Sequence, residues 1–225
     1  PARGTGEYSG IENGVPTGEL GNANEIHSNV GPFISKDWEY MIMSYAEVCF
    51  LKAEAALRGW SGFGTAKENY EAGIKASFAY IHDQLANHTS DESLNRGVLA
   101  AELPFIQDAY DKLMQEGLLT DADSYISGDV VFNENGTKEE QLRQIITQKW
   151  IANFPDGGEA WSEFRRTGYP SEIMAPVDPA PGTLPEGEYI QKLPYVQQEY
   201  DLNGPNASDG QNNQGQGDGL DVKMW

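Results

Sequence analysis

The chain has 225 residues, 39% of them apolar, and carries 15 Lys and Arg against 35 Asp and Glu, a formal charge of −20. A chain of this length can bury the core of one large domain or two small ones, and so negative a surface, with no basic cluster in the sequence to reverse it, argues against nucleic acid and anionic lipid as partners. Only 22% of residues are charged while glycine is abundant at 25 residues, the balance of a folded, loop-rich protein rather than an acidic disordered one.

Cys49 is the single cysteine, so no internal disulfide or cysteine-pair metal site is possible. No run of about 18 apolar residues marks a membrane-spanning helix. The start at Pro1, in polar sequence without a basic and apolar leader, reads as a processed or truncated piece.

Residues 1–35 contain seven glycines and few apolar side chains, which reads as a long glycine-rich surface loop. From Asp37, Met43, Ala46, Phe50, Ala53 and Leu57 recur at helical spacing, and Met41, Val48, Leu51 and Ala55 form a second apolar row. Two apolar faces predict a helix packed on both sides. Gly59 ends it, the loop 60–64 follows, and Thr65-Ala-Lys-Glu68 reads as a capping box opening a second helix with Tyr70, Ile74, Phe78 and Ile81 inward. The two form a helical hairpin over 37–86, and the spacing of Ala66, Tyr70 and Gly73 fits the second helix of a tetratricopeptide repeat. No second copy of that repeat is legible.

Further helices are expected over 104–168. One runs from Pro104 to Gly117, followed by a loop containing Tyr125. Another opens at the capping box Thr137-Lys-Glu-Glu140, carries Leu142, Ile145, Ile146, Trp150 and Phe154, and stops at Pro155. A short helix from Glu159 to Arg166 ends at Gly168. Seven of the twelve prolines lie between 170 and 205, so 169–225 is expected to be an extended wrapping tail anchored by Leu193, Tyr195 and Trp225.

Four landmarks then occur in order: Tyr45-Ala-Glu-Val-Cys-Phe-Leu-Lys-Ala-Glu-Ala55; Gln148-Lys-Trp-Ile151 leading through Gly158-Glu-Ala-Trp161 to Arg165-Arg-Thr-Gly-Tyr-Pro170; Leu193-Pro-Tyr195 with Asn203; and Lys223-Met-Trp225. Together they resemble the C-terminal half of SusD/RagB-like proteins. The resemblance implies an all-α fold with tetratricopeptide-like helical hairpins and long irregular loops, the chain being the C-terminal part of a single SusD-like domain. It further implies a lipid-anchored cell-surface protein of the Bacteroidetes outer membrane that captures oligosaccharide or another nutrient for a SusC-like TonB-dependent transporter, its helical side facing that partner. The lipid-attachment cysteine would lie in the N-terminal half, so the chain meets the membrane only through an anchor outside it.

The resemblance transfers no ligand-contacting residue, and candidates come from the sequence itself. Aromatic residues at helical spacing (Tyr45, Tyr70, Phe78, Trp150, Phe154, Trp161) are expected in the core. Tyr8, Trp60 and Phe63 lie in loops, where a flat ring either stacks on a sugar or pins its own loop, and Asn13, Asn22, Asn24 and Asn29 offer amides for sugar hydroxyls. The glycan-binding candidates are therefore Tyr8, Trp60, Phe63 and Asn24.

Arg165 and Arg166 are expected to make structural ion pairs at a helix C-terminus rather than a ligand clamp. Asp121 with Asp123, and Asp209 with Asp218, read as solvated carboxylates rather than calcium ligands. His27, His82 and His88 have no metal-site spacing, and no cofactor is implied. Without a nucleophile motif the chain reads as a binding protein and not an enzyme. The competing readings are a helical carbohydrate-active hydrolase fragment and a tetratricopeptide-type adaptor for peptides. The charge of −20 favours a neutral over an acidic glycan.

Overall fold

The computed structural model describes residues 41–88, 121–171, 184, 189–214 and 219–222, the side chains of 85–88 and 214 excepted. The chain divides into two compact units, Val30–Pro170 and a second made of Pro1–Asn29 with Ser171–Trp225. The described residues contain six helices and no strand: α1 Tyr45–Leu57, α2 Ala66–His88, α3 Ala122–Gly128, α4 Lys138–Ala152, α5 Gly157–Thr167 and α6 Gln197–Gln214. The glycine-rich loop 1–35, the helix expected over 104–117 and Trp225 lie outside the described residues.

α1 starts at Tyr45 and not near Asp37, because the Ser44 hydroxyl takes the Glu47 N–H at 2.9 Å and caps the helix there. α2 opens on the predicted capping box: Thr65 Oγ1 accepts from Glu68 N at 3.1 Å while Thr65 N donates back to Glu68 Oε2 at 3.1 Å. The same reciprocal pair, Thr137 with Glu140, opens α4. α5 begins under the Asp156 carboxylate, which accepts from Glu159 N at 3.0 Å, and ends at Gly168 in the left-handed region (φ 76°).

Two expectations of element type are corrected. Tyr125 sits in a helix, α3, capped by Asp121; seven residues make only two turns, too short for a helical period to show in sequence. The expected extended tail contains α6, because the helical path breaks at Asn203 (φ −139°, ψ 32°) and restarts with Pro205 in the first turn of the new segment, where its missing N–H costs nothing. Within that second unit, Gln191 N donates to Leu220 O at 2.7 Å and Tyr195 packs edge-on to Tyr200. Leu193, expected as an anchor, is 73% exposed.

The core of the first unit is Ala46, Phe50 and Ala53 of α1, Tyr70 and Ile74 of α2, Ile126 of α3, Phe132, and Ile145 and Ile146 of α4. α1 and α2 form the hairpin through one close approach: a Cβ on Gly73 would lie 2.7 Å from Phe50 Cζ. Tyr70 meets Phe50 edge-on at 6.3 Å and Phe132 at 5.1 Å, and its hydroxyl donates to Val130 O at 2.9 Å. Phe78 packs on Tyr125 at 5.5 Å from the edge of the core. Other aromatics placed inside by spacing are outside: Tyr45 is 71% exposed, Phe154 50% and Trp150 36%. The inward positions of α4 near these residues are taken by Ile145, Ile146 and Lys149, and the helix turns Trp150 to the other side.

Lys149 is 1% exposed and places its ammonium 3.0 Å from Glu163, 3.3 Å from Glu159 and 3.4 Å from Glu47. Burial works against its charge, but the surrounding carboxylates hold its pKa above the ordinary lysine value. Burial pushes Glu47 upward, since the pull of Lys149 does not offset desolvation and the nearby Glu159 charge. Arg166 extends the network: Nη1 and Nη2 grip both oxygens of Glu54 at 2.8 and 2.7 Å, while Nε and Nη2 reach Glu163 at 3.2 and 2.8 Å. Arg58 adds two bonds to Glu54 Oε1, at 2.9 and 2.6 Å. Desolvation of Glu54 is outweighed by these guanidinium bonds, so its carboxyl titrates below the ordinary 4.5.

Three stability outcomes follow. Gly73→Val should destabilise the fold by about 1–3 kcal/mol in urea unfolding, because the buried Phe50 ring must move. Lys149→Met, which leaves three carboxylates facing one another, should cost about 3–5 kcal/mol in the same measurement. A carboxyl with a lowered folded pKa stabilises above its ordinary value, and that contribution disappears as pH falls through the folded pKa. Glu54→Gln should therefore melt lower than the unmutated protein at pH 7, with the gap closing as both are taken below about pH 4.5 toward pH 3; a gap independent of pH would reject the ionised Glu54 as its source.

Candidate functional site

The sequence of α1 decides what lies beyond its end. Gly59 takes a φ of 83°, open to glycine at little cost, and lets two backbone donors turn back on the helix: Gly59 N to Ala56 O and Trp60 N to Ala55 O, both at 3.0 Å. This is a Schellman ending, in which the residue two beyond the cap, here Trp60, commonly packs back toward the last turn. The other end of the loop is held by Asn69, which is buried and donates from Nδ2 to Phe63 O at 2.5 Å and Thr65 O at 2.8 Å. Trp60 and Phe63 thus sit on a five-residue loop whose backbone is fastened at both ends.

Between this loop, the outer face of α1 and the C-terminal end of α5 lies an open hollow of about 560 Å³. Val48, Leu51 and Ala55 form its apolar floor, Trp60 and Phe63 stand at its mouth, and Lys52, Arg58, Arg166, Glu54 and Glu163 supply its polar groups. Val48, Leu51 and Ala55 of the second apolar row of α1 line this floor among the described residues, with Leu51 38% exposed. Trp60, at 63% exposed, presents most of its ring, whereas Phe63 is half-buried.

The charges of the hollow are layered. Glu54 and Glu163 side chains are 8% and 7% exposed, against 50% for Arg58 and 32% for Arg166. Hydrogen bonds donated to Glu54, reinforced by those to Glu163, raise Arg166 above the ordinary guanidinium value despite its partial burial, so it stays charged at every working pH. Lys52, also half-buried, has no carboxylate partner among the described residues.

Of the four sequence candidates, the structure brings Trp60 and Phe63 together, while Tyr8 and Asn24 lie outside the described residues, as do Asn13, Asn22 and Asn29. Lys52, Arg58 and Arg166 were not legible as one group, since Arg166 reaches Glu54 across 112 positions of sequence. The expectation of a structural role for Arg166 agrees with its paired carboxylates, and Arg165 lies over the Trp161 ring at 3.8 Å. Asp121 caps α3, and Asp123 pairs with Lys75 at 2.7 Å. Cys49 is buried. Among the described residues no group of three or more potential ligands could hold a metal ion.

A second hollow of about 580 Å³ lies between α2, α3 and the end of α4. Phe78, Ile81, Tyr125, Ile151 and Phe154 give it a mainly apolar wall, with His82 and Asp129 at its margin. None of its residues stood out in the sequence as a ligand candidate.

The SusD-like family, described as Susd and RagB outer membrane lipoprotein, matches residues 2–225. A solved SusD homologue from Bacteroides uniformis superposes with a TM-score of 0.74 at 29% identity, covering 98% of this chain and 43% of that one. A chitin-binding SusD homologue from Flavobacterium johnsoniae gives 0.56 at 32% identity over 82% of this chain and 36% of its own. A SusD homologue from Bacteroides ovatus gives 0.54 at 33% identity over 80% of this chain and 36% of its own. Comparison with curated proteins gives no match. The chain spans less than half the length of these solved relatives, and it belongs to the SusD/RagB family of outer-membrane lipoproteins.

Proposed function

We propose that the protein captures glycan at the cell surface, with the Trp60 hollow as a sugar-binding site, and passes it to a SusC-like TonB-dependent transporter met by the helical side. The observation that carries the site is a largely exposed indole on a loop fastened at both ends, standing over an apolar floor beside charged hydrogen-bond donors. The indole offers a flat face for the carbon face of a sugar ring, and the guanidinium groups offer N–H donors to its oxygens. Fastening the loop before binding lowers the ordering cost that would otherwise subtract from affinity. The chitin-binding relative supports glycan as the ligand class.

The mechanism is capture without bond cleavage. A glycosidase acid needs a carboxyl raised toward neutrality. Glu54 is held low by Arg166 and Arg58, and Glu163 is engaged by Arg166 and Lys149, so the two carboxylates at the hollow are spent on ion pairs.

Calorimetry of the full-length protein against a panel of neutral and acidic oligosaccharides should identify at least one ligand. Trp60→Ala should weaken it tenfold or more, about 1.4 kcal/mol, with the melting temperature unchanged because the ring is exposed. Unaltered affinity in the variant would remove the hollow as the site, and absence of any glycan binding would remove the function.

A further inference from the structure

We propose that the Trp60 hollow selects an acidic sugar unit, a hexuronic acid whose carboxylate meets Arg58 while its ring lies against Trp60, with Lys52 adding positive charge from the opposite edge of the hollow; this rests on the hollow being the glycan site. The polar lining holds three cations, Lys52, Arg58 and Arg166, and two carboxylates, Glu54 and Glu163. Depth separates the two signs. The carboxylates are more than nine-tenths buried behind the guanidinium groups that grip them, and half of the Arg58 side chain remains exposed.

Arg58 spends Nε and Nη2 on a single oxygen, Glu54 Oε1, which leaves Nη1 for a ligand. Glu54 is shared with Arg166, which already grips both of its oxygens, so Arg58 brings charge that Glu54 alone does not neutralise. Lys52 has no carboxylate partner among the described residues; six residues before Arg58, about one and two-thirds helical turns, it borders the Val48, Leu51 and Ala55 row on the edge opposite Arg58.

The chain's charge of −20 points the other way, toward neutral ligands. Distance decides between the two effects. Exposed charges farther than about 8 Å are screened at physiological salt, while a carboxylate in the hollow touches Arg58 directly. A carboxylate on a sugar ring also suits the site better than one on an acidic peptide, because the same ligand must supply a flat carbon face for the indole and a charge beside it. Guanidinium bonds to carboxylate are charge-assisted and stronger than those to a hydroxyl.

The test uses the full-length protein and matched pairs of probes: oligogalacturonate, oligoalginate and glucuronate-containing oligosaccharides, each against its methyl-esterified form. At least one uronate should bind tenfold or more tighter than its ester, with the ratio falling as salt is raised from 50 to 500 mM. Arg58→Gln should bring that ratio to within about threefold, Lys52→Gln should lower it by a smaller factor, and Trp60→Ala should weaken acid and ester alike. Should Arg58→Gln fail to fold, the half-buried Lys52→Gln and the salt series carry the decision.

Ester binding equal to or tighter than acid, still dependent on Trp60, would overturn the acidic preference and leave the sugar site standing. Acid preference unchanged in both charge variants would place the carboxylate elsewhere. Binding of a polyglutamate peptide with none of any sugar would overturn this proposal together with the glycan reading.

Discussion

The buried ammonium of Lys149 is the point on which the helical unit turns. An amine 1% exposed can keep its proton only if carboxylates replace the lost water, and three do so from two other helices: Glu47 from α1, and Glu159 and Glu163 from α5. Glu159 and Glu163 are four apart and share a face, as do Glu47 and Glu54 at seven apart. Seating Lys149 between Glu47 and Glu163 therefore brings Arg166 of α5, one turn past Glu163, to Glu54 of α1. The hollow inherits its rear wall from this arrangement, because the Arg166 and Glu54 that complete the network also line it.

What the sequence made legible was local. Thr65 with Glu68 and Thr137 with Glu140 marked helix starts because a capping box is written within four residues, and Gly59 and Gly168 marked stops because a left-handed residue is seldom anything else. Trp60 and Phe63 were legible as loop rings for the same reason. Side-chain burial was less so. Spacing alone placed Tyr45 and Trp150 inside, but a helical face says only that residues lie together, and what covers that face is set by other segments. The apolar row of Val48, Leu51 and Ala55 was legible as a row, and among the described residues it lines the hollow. α6 escaped because Pro205 is tolerated only where the helix restarts, and the restart at Asn203 is a backbone event with no strong sequence signal.

The sequence motifs that suggested the family acquire a physical meaning here. The run from Tyr45 to Ala55 carries Glu47 and Glu54, the run from Gln148 carries Lys149, and the stretch onward to Arg166 carries Glu159, Glu163 and Arg166 itself. Pieces separated by about a hundred residues hold the members of one ion network. Such a network resists piecemeal change, since removing one partner leaves a buried charge without compensation, whereas the apolar positions around it accept any side chain of suitable volume.

Net charge and local charge then answer different questions. The value of −20 describes how the surface acts at a distance, where it opposes approach of polyanions. Within contact range the ordering of charges by depth matters more. A carboxylate buried under a guanidinium offsets part of that arginine's charge, while the outer edge of the arginine still presents N–H groups to solvent. The carboxylates at the hollow are engaged inward, where they hold α1 and α5 together. The constraint that stabilises the fold, a set of carboxylates committed to buried and half-buried cations, is thereby the same one that fixes the guanidinium groups lining the hollow beside Trp60.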